Sequence, residues 1–157
     1  LPISKLAELA RANTDVTVIV NHLGGQINVA AGPDDFNRWR ECITAVADCP
    51  NTVIKLGGAQ MRIDDWEPAY HMNQCESPYS SEQFLELLYP YYAHCIDAFG
   101  VERCMFESNF PVDRECISYR SLWNLFKRIA ERARASESDK QALFSGTAAR
   151  TYRLQAP

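Results

Sequence analysis

"VTVIVNHLGG", residues 16–25, decides the fold. Val16 to Val20 is a β-branched run with no charged interruption, which predicts a short strand. A strand so uniformly apolar is covered on both faces, as strands in parallel sheets are. His22 closes it, and Leu-Gly-Gly follows. Two later stretches repeat the design: "NTVIKLGG" at 51–58 and "RCMFESNFP" at 103–111. Each begins as an apolar strand and ends in Gly or polar residues.

Helical patterns fill the spaces between these strands. Residues 3–12 place Ile3, Leu6, Leu9 and Ala10 on one face, with Ser4 as a cap. Pro33 and the Asp34–Asp35 pair mark the start of a second helix, which carries Phe36, Trp39, Ile43 and Val46 and stops at Pro50. Residues 59–80 show no period and predict a long loop rich in Trp, Tyr, His and acids, a length that marks function or disorder. Ser81 opens a third helix reaching Phe99, which Pro90 is expected to kink or split; Gly100 ends it. "ISYRSLWNLFKRIAERARA" predicts a strongly amphipathic helix with Leu122, Leu125, Phe126, Ile129 and Ala133 in its stripe. A short closing helix follows, with Gly146 as a break. The order α-β-α-β-loop-α-β-α-α is the βαβ pattern and implies parallel strands within one domain, residues 1–157.

Bulk properties narrow the function. The 157 residues carry a formal charge of −4, which gives no footprint for nucleic acid. No apolar run is long enough to cross a bilayer, and the first residues form a helix pattern rather than a signal peptide. Six Cys, at 42, 49, 75, 95, 104 and 116, lack CxxC spacing and fall within helix- or strand-like segments. They predict reduced, mostly buried thiols rather than a disulfide scaffold. A cytoplasmic protein acting on a small molecule, with no membrane and no nucleic-acid partner, is the expectation; a homo-oligomer stays open.

In parallel α/β folds, ligands bind outside the carboxyl ends of the strands. Alternation groups Val16, Val18, Val20 and His22 on one face of the first strand, Val53, Lys55 and Gly57 on the second, and Met105, Glu107 and Asn109 on the third. Cys104, Phe106 and Ser108 then face the helices. His22, Lys55, Glu107 and Asn109 are too much polarity for a purely apolar face. Lys55 and Glu107 are placed to form a structural ion pair. His22 is placed either to reach a ligand or to be satisfied by a backbone carbonyl, and His71, on the aromatic loop, is placed to touch substrate.

"VIVNHLGG", "NTVIKLGG", "RCMFESNFPV" and the terminal "LFSGTAARTYRL" together resemble the amidohydrolase-related (amidohydrolase 2) family, which includes lactonases and decarboxylases. The resemblance implies a (β/α)8 barrel of the TIM type, with this chain as its C-terminal part, strands six to eight and their helices. It implies that a His pair on strand one and a His on strand five lie in an upstream half, where a divalent metal such as zinc binds in some members; some lactonases of the group are metal-free. The start at Leu1 rather than Met agrees with a C-terminal piece of a longer enzyme. His22 matches the strand-six His, which binds metal or substrate or acts on the reacting carbonyl. Asn109 stands where the family commonly has an Asp that takes a proton from water. A neutral amide cannot be a general base and is a poor hard-cation ligand, but it can orient water. Arg62 lies in the variable loop past strand seven and is a candidate to bind a substrate carboxylate. No residue here is assigned as a metal ligand.

The resemblance thus implies hydrolysis of a lactone- or amide-like bond in a small, anionic molecule, with His22 and Asn109 as catalytic residues. Non-oxidative decarboxylation on the same barrel, or a binding protein that has lost catalysis with the strand-eight Asp, are the alternatives. The isolated piece is expected to be inactive and to self-associate through its open sheet edges.

Overall fold

The computed structural model describes residues 3–25, 27, 32–59 and 79–154, leaving aside the Glu115 side chain. Three short strands form one parallel sheet in chain order: β1 (Val18–Val20), β2 (Thr52–Leu56) and β3 (Cys104–Phe106). Val18 pairs with Thr52 and Val20 with Ile54; Ile54 pairs with Cys104 and Leu56 with Phe106.

The helices follow the sequence pattern closely. α1 spans Ile3–Ala12, α2 Pro33–Ala47, α3 Ser81–Phe99 and α4 Tyr119–Arg132. Pro33 sits in the first turn of α2 with Asp34 and Asp35, where a missing N–H costs nothing and negative charge meets the positive helix end. Ser80 caps α3 through a reciprocal capping box with Gln83. Ser118 caps α4 by accepting from the Ser121 N–H. Short helices α5 (Glu137–Gln141) and α6 (Thr147–Thr151) close the described chain.

One face of the sheet carries the main core. Val20, Ile54, Leu56, Cys104 and Phe106 pack there against Ile43 and Val46 of α2, Leu88, Tyr92 and Cys95 of α3, and Leu122, Leu125, Phe126 and Ile129 of α4. Ile19, Val53, Lys55 and Met105 lie outside that cluster, on the opposite face. Arg103, just before β3, ties the far end together: its guanidinium donates to the carbonyls of Ala47 (2.9 Å), Cys49 (3.0 Å) and Phe99 (2.9 Å). Cys42, Cys49, Cys95 and Cys104 are free thiols; burial pushes Cys95 and Cys104 well above the ordinary thiol range.

Several local expectations change. β1 begins at Val18, and Val16 is 51% exposed. Val18 and Val20 share the helix-covered face with Thr52 and Ile54, so the alternation read for this strand is out of phase by one residue. An unbroken β-branched run has no polar beat from which to set a phase. In α1, Leu9 is 46% exposed while Ala7 and Ala10 are buried, and the described helix begins at Ile3, ahead of Ser4. α3 runs through Pro90 as a single helix. Gly146 is no break: at φ −62 and ψ −45 it ends a π-turn, Ala142–Gly146, that joins α5 to α6. No described helix is long and apolar enough to cross a membrane. The aromatic loop lies almost wholly outside the described residues, and with it Arg62 and His71.

Candidate active site

Polar side chains gather where the three strands end. After Val20 the chain passes Asn21 and enters a tight turn, His22–Gly24, in which His22 (φ 52) and Leu23 (φ 55) take left-handed backbone. Beyond β3, Asn109 (φ 49) does the same. Non-glycine residues in this region carry strain that persists only where the surroundings impose it, and such positions cluster at functional sites. His22 and Asn109 are the residues that the sequence singles out on other grounds.

The turn at His22 delivers its ring to Glu107. Nδ1 stands 2.6 Å from Glu107 Oε1, and the other carboxylate oxygen, Oε2, lies 3.6 Å from Lys55 Nζ. Among the described residues neither His22 Nδ1 nor Glu107 Oε1 has an aligned hydrogen bond, so the short contact is one of proximity rather than a formed hydrogen bond. Burial opposes the charge on Lys55, yet the Tyr152 hydroxyl and Glu107 outweigh it and hold its pKa above the usual lysine value. His22, Lys55 and Glu107 therefore form one charged cluster spanning all three strands. With Nδ1 committed to Glu107, Nε2 makes no hydrogen bond among the described residues.

The glycines that end β2 make this approach fit. A Cβ on Gly57 would lie 2.1 Å from the Glu107 carbonyl oxygen and 2.6 Å from its Cγ. A Cβ on Gly58, whose φ is +70, would lie 2.5 Å from His22 Nδ1. The "GG" of "KLGG" is thus the gap through which β1 and β3 bring their side chains together.

Asn109 turns elsewhere. Its Nδ2 donates to Asp113 Oδ1 at 2.8 Å, and its main-chain carbonyl accepts from the Asp113 N–H at 3.2 Å. Asp113, in the 3-10 turn Val112–Glu115, is fully buried. Burial pushes its carboxyl up to about 6, against the pull of the Asn109 hydrogen bond and the His22 charge and with a further push from Glu107. Sequence reasoning did not identify Asp113. It lies past a Pro and a left-handed Asn, outside any strand period, and the only available signal was a carboxylate four residues beyond the position that lacks one.

The donor set argues against a metal centre made from these residues alone. Among the described residues no three His, Cys, Asp or Glu side chains converge on one point. Where a cation would meet Glu107, the Lys55 ammonium already stands.

The amidohydrolase family model matches residues 3–154. This chain belongs to the amidohydrolase family. An uncharacterized protein of Sinorhizobium fredii is 38% identical to this amidohydrolase over 94% of the chain and 42% of its own length. The L-fucono-1,5-lactonase of Burkholderia multivorans is 32% identical over 89% of the chain and 44% of its own length. A crystal structure of a Burkholderia multivorans amidohydrolase with bound zinc superposes with a TM-score of 0.81 at 27% identity, covering 98% of this chain and 49% of that one. The chain thus spans about half the length of the relatives it matches, and its three parallel strands with their helices are part of a (β/α)8 barrel. The cluster of His22, Lys55 and Glu107, and Asn109 with Asp113 beyond β3, stand at the carboxyl ends of these amidohydrolase strands, the end on which such barrels do their chemistry.

Proposed function

We propose that the protein carrying this chain hydrolyses a lactone- or amide-like bond of a small, anionic molecule, a sugar-type lactone before an amide. The observation that carries this reading is the convergence of His22 on Glu107 at 2.6 Å, at the end of the sheet where Asn109 follows β3. A ring held at Nδ1 by a carboxylate has a fixed orientation and a free Nε2 edge. Protonated, that edge donates to a carbonyl oxygen and stabilises the negative charge that grows there as water adds. Asn109 spends its amide N–H on Asp113 and keeps its Oδ1 as an acceptor. That oxygen can aim a water at the carbonyl carbon, although it cannot take the proton, which falls to a base outside these residues. Lys55 and Glu107 serve as the supporting ion pair, Arg62 anchors a substrate carboxylate, and His71 contacts substrate. The family match and the lactonase relative support a hydrolase; the roles of His22, Asn109, Lys55 and Glu107 rest on the geometry, and those of Arg62 and His71 on the sequence.

The 157 residues alone present two unpaired sheet edges and part of a barrel, and are expected to turn over substrate poorly. The test uses the whole protein on a panel of five- and six-membered sugar lactones, with product acid measured. Ring opening with no release of carbon dioxide is expected. Carbon dioxide release from an unsaturated carboxylate, with no lactone opened, would replace this reading with decarboxylation.

A further inference from the structure

We infer that Asp113 is the positioning residue of this site, holding the Asn109 carboxamide so that its oxygen, rather than its NH2, faces the reacting water. The inference rests on the role proposed above for Asn109 and names what fixes that role.

Three observations carry it. The first is the hold on the amide. Asp113 Oδ1 accepts from Asn109 Nδ2, while the Asp113 N–H donates to the Asn109 main-chain carbonyl and keeps the two residues together in the turn. Turning the carboxamide over would set its oxygen against the carboxylate oxygen, so its two ends are not equivalent. The second is the burial of Asp113. The side chain is fully enclosed, and its Oδ2 has no hydrogen-bond partner among the described residues. A buried, half-satisfied carboxylate is unfavourable for folding, and its upward-shifted carboxyl agrees. Shaping the turn does not need it, since the main chain already does so: the Cys116 and Ile117 N–H groups both donate to the Asp113 carbonyl at 3.0 Å. The third is electrostatic. Asp113 lies close enough to His22 and Glu107 to feel both charges, so this hold is continuous with the catalytic cluster. Behind it the Tyr92 hydroxyl, fully buried and without a partner among the described residues, is held far from ionisation by burial first and by Asp113 next. The carboxylate missing from position 109 has thus moved into the layer beneath it, where it orients an amide instead of touching water.

A double-mutant cycle on lactone turnover in the whole protein tests this. Asn109→Ala must first lower kcat; if it does not, the role proposed for Asn109 falls and this inference with it. Given that loss, Asp113→Ala is expected to lower kcat about tenfold with KM within twofold. In the Asn109→Ala background the same change should cost less than twofold, because nothing remains to be positioned. Asp113→Asn, which keeps an acceptor oxygen, should restore most of the rate. A tenfold loss that persists undiminished in the Asn109→Ala background would overturn the inference and leave the hydrolase reading standing. If Asp113→Ala does not fold, the unmutated protein still decides by NMR. The Asn109 side-chain NH2 protons should exchange with solvent at least tenfold more slowly than those of an exposed amide such as Asn37. Equal rates would overturn the inference.

Discussion

His22 Nδ1 stands 2.6 Å from Glu107 Oε1, a contact between the first and third strands that passes over the end of the second. It is possible because β2 finishes in two residues without side chains. This couples the stability of the barrel piece to the assembly of its site, and each group in the cluster carries a measurable consequence.

Gly58 is the most sensitive backbone position. Its left-handed φ disfavours any side chain, and a Cβ there would fall 2.5 Å from the His22 ring. Gly58→Ala is expected to cost about 2 kcal/mol from backbone strain and the displaced ring together. The loss should appear as a lower melting temperature, with turnover falling further than the melt explains. An unaltered melt would mean that β2 ends differently.

Glu107 stands between the Lys55 ammonium and the His22 ring. Glu107→Gln leaves His22 and Lys55 side by side, with no anion between them. Breaking a buried pair costs about 3–5 kcal/mol; these side chains keep some exposure, so about 3 kcal/mol is the expectation. Chemical denaturation of wild type and variant measures it. Adding Lys55→Met should recover part of the loss, since the ammonium left without its partner is then gone.

Asp113 predicts a pH dependence with a definite sign. Its carboxyl titrates at about 6 in the fold against 3.8 for an ordinary aspartate. The folded protein therefore holds a proton that the unfolded chain releases. This contribution is full below about pH 4 and is lost as pH rises through about 6, amounting to about 3 kcal/mol. Asp113→Asn cannot ionise and should flatten that stretch of the curve, melting higher than wild type at pH 8. Parallel melting curves for the two proteins across pH 4–8 would contradict the assignment.

Much of this was legible in the sequence, for physical reasons that also mark where it stopped. β2 and β3 could be phased because Lys55 and Glu107 interrupt apolar runs, and the structure leaves Lys55 and Met105 off the main core face. β1 offers no such interruption, and its alternation was read one residue out of step. His22 reaches the site because a left-handed turn, rather than the strand, aims it. The start of α2 was readable from Pro33 and the Asp34–Asp35 pair because helix-start chemistry is local; the caps of α3 and α4, Ser80 and Ser118, were not singled out. Asp113 was not, since its importance comes from burial and from a hydrogen bond set by the turn of the chain at Asn109. Pro90 did not split its helix because the turns on either side bury Leu88, Tyr91 and Tyr92 in the core, and that packing outweighs one missing hydrogen bond.

The most direct measurement is the kcat of His22→Ala in the whole protein, on the best lactone found, with the melting temperature recorded alongside. The role proposed for His22 predicts that its loss lowers kcat about 100-fold or more while the protein stays folded. Turnover within threefold of wild type, in a variant that melts normally, would contradict the assignment of this strand end as the catalytic centre.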